Sequence, residues 1–290
     1  MKRSYRTPAA PLRAIADSLA DGGVRDVVIC PGSRSTPMAL ALVAHPGLRC
    51  WVHLDERAGA FFALGAAKGG RRPAAILATS GTAVVNFAPA VTEARYGRVP
   101  LILLTADRPP ELQGVGAPQT IDQVELYGRH AKWYAELPVP DDAVDAEIES
   151  RGTVGRAIDV ATAAPAGPVQ LNMPFREPLL PDGSLVEPNG PEPGDAEPAT
   201  DREPTPTPPA PELLEAVLPR LRASAHPLIV CGPIDRPGFA PAVARLATEL
   251  RAPIVADALA NLRSGAHDRD LVVSYHDALL RATGLSLIHI

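Results

Sequence analysis

The stretch Cys50-Trp51-Val52-His53-Leu54-Asp55-Glu56-Arg57-Ala58-Gly59-Ala60-Phe61-Phe62-Ala63-Leu64-Gly65 decides the fold. Its first five residues form an apolar, strand-like run. From Glu56 onward small and apolar residues dominate, as in a buried helix. The junction delivers Glu56 to the first helical turn. Two roles fit a carboxylate there: it complements the positive end of the helix dipole, or it holds a proton beside a ligand in a place shielded from water.

The same strand–turn–helix pattern extends in both directions. Residues 8 to 22 carry Leu12, Ile15, Ala16 and Leu19 at helical spacing, with Gly22-Gly23 as the stop. Asp26-Val27-Val28-Ile29-Cys30 is a buried strand, Pro31-Gly32-Ser33-Arg34-Ser35 a loop, and Thr36-Pro37 the start of a helix. Ala74-Ala75-Ile76-Leu77-Ala78 is a strand, followed by Thr79-Ser80-Gly81-Thr82 and a helix from about 83 to 96. Leu101-Ile102-Leu103-Leu104 is a strand, and Thr105-Ala106-Asp107-Arg108-Pro109-Pro110-Glu111 reads as a polar loop. A helix near 153–163 and a strand at 168–172 close the region. Short apolar strands alternating with helices define an α/β fold, a parallel sheet covered on both faces. Ligands of such sheets bind beyond the carboxyl ends of the strands.

Composition sets the boundaries. A chain of 290 residues suits two domains. Ten of the 31 residues from Pro181 to Pro211 are proline, mixed with Gly, Asp, Glu and Thr, which marks 181–210 as an extended linker. Residues 1–180 form the first domain and 211–290 a second, incomplete α/β domain, with helices at about 211–223 and 238–250 and strands at 226–231 and 253–256. The last residues, 283–290, carry no helix stop and read as a truncated frame or a foreign tail.

The net charge of −5, with no basic stripe, excludes a nucleic-acid partner. Cys30, Cys50 and Cys231 are scattered, with no CxxC spacing, as suits a reducing cytosol. The seven histidines show no ligand spacing, so no metal is assigned to them. No signal peptide and no apolar run of about 20 residues is present, so a cytoplasmic protein without a membrane span is expected.

Three loops carry candidate chemistry. In Pro31-Gly32-Ser33-Arg34-Ser35-Thr36-Pro37, Arg34 can grip a carboxylate through paired hydrogen bonds. The loop equally reads as a strand-to-helix turn with a hydroxyl cap. Thr79-Ser80-Gly81-Thr82 either presents N–H groups and hydroxyls to a ligand or caps its helix. It is not a phosphate-binding Walker loop, and no GxGxxG fingerprint occurs in the chain. In the third loop, two prolines stiffen the backbone behind Arg108, which acts as an anion clamp or pairs with Asp107 or Glu111 at the surface. Gln119, in Gly116-Ala117-Pro118-Gln119-Thr120-Ile121-Asp122-Gln123, adds an amide, or simply marks a helix start.

Taken together, Cys30-Pro31-Gly32-Ser33-Arg34-Ser35, Asp55-Glu56-Arg57, Thr79-Ser80-Gly81-Thr82-Ala83, Thr105-Ala106-Asp107-Arg108-Pro109-Pro110-Glu111-Leu112 and Gln119-Thr120-Ile121-Asp122-Gln123 resemble one family in order and spacing. It is the thiamine-diphosphate-dependent 2-succinyl-5-enolpyruvyl-6-hydroxy-3-cyclohexene-1-carboxylate (SEPHCHC) synthases of menaquinone biosynthesis. The resemblance is strong over residues 8 to 180 and weaker from 211 to about 282. It implies a transferase that condenses 2-oxoglutarate, with loss of carbon dioxide, with isochorismate. It also implies a pyrimidine-binding first domain and a homodimer at least, because such sites form between two chains. Glu56 matches the glutamate that bonds the cofactor's aminopyrimidine and promotes its imino form. Pro31, Thr79 and Gly81 fall in cofactor-binding motifs, and Ser33, Arg34, Arg108 and Gln119 match substrate-binding positions.

Two departures stand out. Pro118 replaces the family's usual Asn, removing an amide and a backbone N–H. The Gly-Asp-Gly motif that binds Mg2+ and diphosphate is absent, so a parent about twice as long is implied, and these 290 residues alone are expected to be inactive. Two other readings compete. One is a different thiamine-diphosphate enzyme: the Thr-Ala-Asp-Arg-Pro-Pro-Glu-Leu loop speaks against an acetolactate synthase, and the linker with its second α/β unit against a split decarboxylase. The other is a non-catalytic protein that binds acidic metabolites.

Overall fold

The computed structural model describes residues 7–140, 144–180 and 208–281. The chain divides into two compact units, up to Thr200 and from Asp201 onward. Residues 181–207 of the linker expected at 181–210, and the tail at 283–290, lie outside the described residues.

The first unit runs α1 (Ala9–Asp21), β1 (Asp26–Ile29), α2 (Thr36–Ala44), β2 (Arg49–Val52), α3 (Glu56–Gly70), β3 (Ala74–Ala78), α4 (Thr82–Val85), α5 (Ala88–Gly97), β4 (Leu101–Asp107), β5 (Tyr134–Glu136), α6 (Val144–Thr162) and β6 (Val169–Pro174). Six strands form one sheet in the order β2-β1-β3-β4-β6-β5, and every described pairing is parallel. The strands with continuous apolar runs, β1, β3 and β4, lie inside the sheet and are wholly buried. The less apolar β2 and β5 form its edges.

Alternation along each strand builds two cores. Val27, Ile29, Leu77, Ile102 and Leu104 pack with Leu12, Leu19, Leu42 and Ile158 from α1, α2 and α6. Val28, Cys30, Ile76, Leu101 and Leu103 pack with Ala60, Ala63 and Ala67 of α3 and with Ala90, Val91 and Ala94 of α5. The small residues of α3 matter here. A Cβ at Gly59 would lie 3.1 Å from Cys30 Sγ and 3.2 Å from Val28 Cγ1, so glycine lets α3 sit close on β1.

Four details differ from the sequence expectation. The helix expected at 83–96 is two helices, because Pro89 cannot donate to the turn before it, and the chain bends at Asn86-Phe87. Thr105, Ala106 and Asp107 extend β4 rather than open a loop, since they pair with Asn172, Met173 and Pro174 of β6. The helix near 153–163 begins at Val144. Strand β5 carried no sequence signal: its three residues are too few to show a period.

The second unit holds α7 (Pro211–Ala223), β7 (Ile229–Cys231), α8 (Phe239–Leu250), β8 (Ile254–Ala256) and α9 (His276–Arg281). Its parallel β7–β8 pair packs Cys231, Ile254 and Ala256 against Ala247, Ala260 and Leu262. No helix among the described residues is long and apolar enough to cross a membrane.

Asp26 anchors the amino end of the sheet. Its buried carboxylate accepts from Arg49 Nε at 2.7 Å and Trp51 Nε1 at 2.9 Å through Oδ1, and from Arg72 Nη2 at 3.3 Å through Oδ2. Burial opposes the charge, but these donors outweigh it and hold the carboxyl below its ordinary value. A depressed folded-state value means stabilisation that is present above the unfolded pKa and lost as pH falls through the folded one. Asp26→Asn is expected to reduce the stability of the first unit by roughly 1–3 kcal/mol at neutral pH. In urea unfolding, the gap from wild type should narrow as pH drops below about 4.

Candidate functional site

In an all-parallel sheet every strand ends on one edge. Here β1 connects to β2 on one side and its other neighbour is β3, so the strand order reverses between β1 and β3. At such a reversal, sheets of this kind bind ligands in a crevice beyond the carboxyl ends of the strands. The three loops singled out in the sequence follow β1, β3 and β4 and line this edge.

The β1 and β3 loops touch. Gly32 backs directly on Thr79, where a Cβ would fall 2.5 Å from Thr79 Cβ. Pro31 and Ser33 are exposed at the rim, while Thr79 is buried beneath them. The Thr79–Thr82 turn depends on Gly81, which has φ +83°. A Cβ there would be strained and would meet Gln119 Cγ at 2.9 Å and Gln119 O at 3.1 Å. Gly81 N–H donates to Gln123 Oε1 at 2.9 Å.

Gln119 is in the left-handed region, with φ +55°. It closes a reciprocal pair with Ser80: Gln119 Nε2 donates to Ser80 O at 3.0 Å, and Ser80 Oγ donates to Gln119 O at 3.1 Å. Gln119 is therefore a turn residue, not a helix start. Arg108 reaches across from β4. Its Nη1 donates to Ser80 Oγ at 3.3 Å and its Nη2 to Pro118 O at 2.8 Å. Pro118 thus keeps a carbonyl in the site although it lacks a donor. The surface pairing weighed for Arg108 and Glu111 does not form. Glu111 instead meets Arg176 through two hydrogen bonds, which hold its carboxyl down to about 2.

Arg34 is more buried than a free anion clamp would be, at 3% exposure. Nη1 donates to Phe175 O at 2.8 Å and Nη2 to Glu177 Oε1 at 3.1 Å, which ties the β1 loop to the chain leaving β6. Its Nε is buried with no hydrogen-bond partner among the described residues. Burial first, and then the charge of Arg108, weakens its hold on its proton, while Glu177 opposes both. The two arginines are therefore near enough for their charges to repel.

Glu56 opens α3, and the preceding Asp55 takes the capping role, accepting from Ala58 N–H at 2.8 Å. Glu56 is half-buried and makes no hydrogen bond or ion pair among the described residues. It lies near Cys30 at the end of β1: burial, then the charges of Glu56 and Asp55, push that thiol up to about 12. Cys30 is thus a neutral, inert neighbour.

The structure adds residues that were not assigned roles from sequence: Ser80, Gln123, Asp107, Asn172 and Glu177. One signal pointed to them. Gln170 and Asn172 interrupt the apolar run of a strand that is buried on both faces, where polar groups must find partners. No cluster of metal-ligating side chains occurs among the described residues.

Comparison with known proteins bears on the family and the fold. Residues 12–126 match the family model described as thiamine pyrophosphate enzyme, N-terminal TPP binding domain. The chain is 50% identical over 275 residues to the SEPHCHC synthase of Geobacillus kaustophilus (strain HTA426), covering 92% of the chain and 46% of the relative. It is 46% identical over 286 residues to the synthase of that name from Myxococcus xanthus (strain DK1622), covering 96% and 48%. The chain thus spans about half the length of these curated relatives. Among solved structures, a putative thiamin diphosphate-dependent enzyme from Mycobacterium smegmatis aligns with TM-score 0.65 at 23% identity, over 87% of this chain and 45% of that one. Benzoylformate decarboxylase from Polynucleobacter necessarius aligns with TM-score 0.62 at 23% identity, over 88% and 44%. Both show the same fold.

The Gly81 turn generates a direct test. Gly81→Ala is expected to lower stability by about 1–3 kcal/mol, through the positive φ and the contact with Gln119. Chemical denaturation measures the loss. The amide signals of Ser80 and Gln119 should shift more than those of α1.

Proposed function

We propose that this chain, homologous with the amino-terminal portion of the SEPHCHC synthases, belongs to a thiamine-diphosphate transferase that condenses 2-oxoglutarate with isochorismate. One observation carries the proposal. Glu56 is a half-buried carboxylate without a partner among the described residues, at a helix start beside the strand-order reversal. The strong identity to synthases of one name favours this activity over an acetolactate synthase, a split decarboxylase or a non-catalytic binder.

The residues present fit the cofactor's pyrimidine end. Glu56, half-buried at the start of α3, would accept or donate one proton at a ring nitrogen. Gly81, with no Cβ, lets the Gln119 turn close against it and so shapes this end of the site. Pro31 and Thr79 complete the walls of the same crevice. Thiamine diphosphate, when bound, supplies the electron sink that lets a 2-oxo acid lose carbon dioxide.

Substrate handling falls to the neighbouring loops. Both substrates are polyanions, so a cationic rim lowers the free energy of binding them and of the charge that develops on reaction. Arg108, held by Ser80 and Pro118, presents a fixed guanidinium to a carboxylate. Arg34 contributes positive potential from below and its unsatisfied Nε. Ser33 and Gln119 add a hydroxyl and an amide at the rim. The Mg2+ and diphosphate ligands, a homodimer that completes the site, and a cytoplasmic setting belong to this proposal as well.

The complete protein tests it. Glu56→Gln should lower kcat by at least 100-fold with the fold retained by circular dichroism, the scale of lost general acid–base help. Unchanged turnover removes Glu56 from the chemistry. Arg108→Ala should raise KM for one acidic substrate about tenfold or more, equivalent to about 1.4 kcal/mol or more of binding.

A further inference from the structure

A buried line of side chains runs beneath the crevice and joins two of its turns. Asn172 of β6 is at its centre, 0% exposed, between Thr105 of β4 and Glu136 of β5 in the strand register. Its amide uses its full hydrogen-bonding capacity. Oδ1 accepts from Thr105 Oγ1 and from Gln123 Nε2, each at 2.9 Å. Nδ2 donates to Asp107 Oδ2 at 2.9 Å and to Glu136 Oε2 at 3.1 Å.

The neighbours dictate which way this amide points. A rotated amide would set its oxygen against two carboxylates and its NH2 against the Gln123 NH2. Gln123, 1% exposed, is oriented in turn. Its Nε2 also donates to Ala106 O at 3.2 Å, so Oε1 must face Gly81 N–H. At the other end, Asp107 Oδ1 accepts from Arg108 N–H at 2.7 Å. An unbroken chain of bonds therefore runs from Gly81 N–H through Gln123, Asn172 and Asp107 to Arg108 N–H.

We propose that Asn172 is a positioning residue that couples the Gly81 turn to the Arg108 turn, so that the two hold a common geometry. This rests on the proposed function only in treating those turns as facing cofactor and substrate. Asn172 touches neither ligand. Its part is to fix Gln123 and Asp107, the groups that set the backbone of each turn. Loss of one buried link frees an amide to rotate and leaves a buried polar atom unpaired, so both turns respond together.

The test uses the 290-residue chain and needs no ligand. Amide hydrogen exchange and resonance positions of Gly81 and Arg108 are followed by NMR in wild type, Asn172→Leu, Thr105→Val and Thr105→Ser. Asn172→Leu should speed exchange at both amides at least tenfold while Val28 of β1 stays protected. Thr105→Val, which deletes one donor to Asn172, should shift both resonances. Thr105→Ser, which keeps the hydroxyl, should restore them. A response at one turn only, or faster exchange over the whole sheet alike, overturns the coupling. If Asn172→Leu does not fold, the Thr105→Val and Thr105→Ser pair decides alone. Coupled amides in a complete protein without thiamine-diphosphate-dependent turnover would retain the relay and reject the proposed function. Turnover with uncoupled amides would do the reverse.

Discussion

One constraint governs this structure: in a sheet of parallel strands, every carboxyl end lies on the same edge. Loops that are far apart in sequence, after residues 29, 78 and 107, are thereby forced into one neighbourhood. The amino edge takes a different task. There Asp26 gathers Arg49, Trp51 and Arg72, three donors on a single buried carboxylate. The result is a division of labour along the strand axis, with an ion-pair cluster at one end and the polar loops at the other. An edge that binds ligands must keep some hydrogen-bonding capacity open, and that openness is tolerable only if the opposite edge and both cores hold the sheet.

The cores impose the second condition. Helix α3 must lie close enough to β1 for Glu56 to reach the end of that strand. Glycine at 59 and alanines at 60, 63 and 67 make the close approach possible. A leucine in their place would raise the helix off the sheet and carry the carboxylate away from Cys30. Packing and chemistry are thus one problem here. The small residues that look like a loss of buried apolar area are what set the position of the acid.

Much of this was legible in the sequence, for identifiable reasons. Short, wholly apolar runs such as 74–78 and 101–104, each bounded by turn-forming or polar residues, read as interior strands, so the α/β architecture and the order of its loops could be read directly. Glu56, Gly81 and Arg108 stand at strand ends by simple position. Other features were hidden because they depend on partners far away in sequence. Thr105 and Asp107 look like loop residues until Asn172 pairs beside them, 65 or more positions later. Arg34 reads as a free clamp until the chain leaving β6 brings Phe175 and Glu177 to it. Strand β5 is too short to announce itself, and the break before Pro89 is masked by the continuous apolar pattern around it.

The balance of the carboxylates makes the case for Glu56. Near the carboxyl edge, Asp55 is spent on the cap of α3, and Asp107 is bound to Asn172 and to its own neighbour's N–H. Glu136 shares Asn172, Glu111 is paired with Arg176, and Glu177 faces Arg34. Each of these acids is accounted for by protein groups within reach. Glu56 is half-buried in the same neighbourhood and is accounted for by none among the described residues. Among the acids just named, Glu56 alone is left without a protein partner among the described residues, and that contrast is what singles it out for the role proposed above.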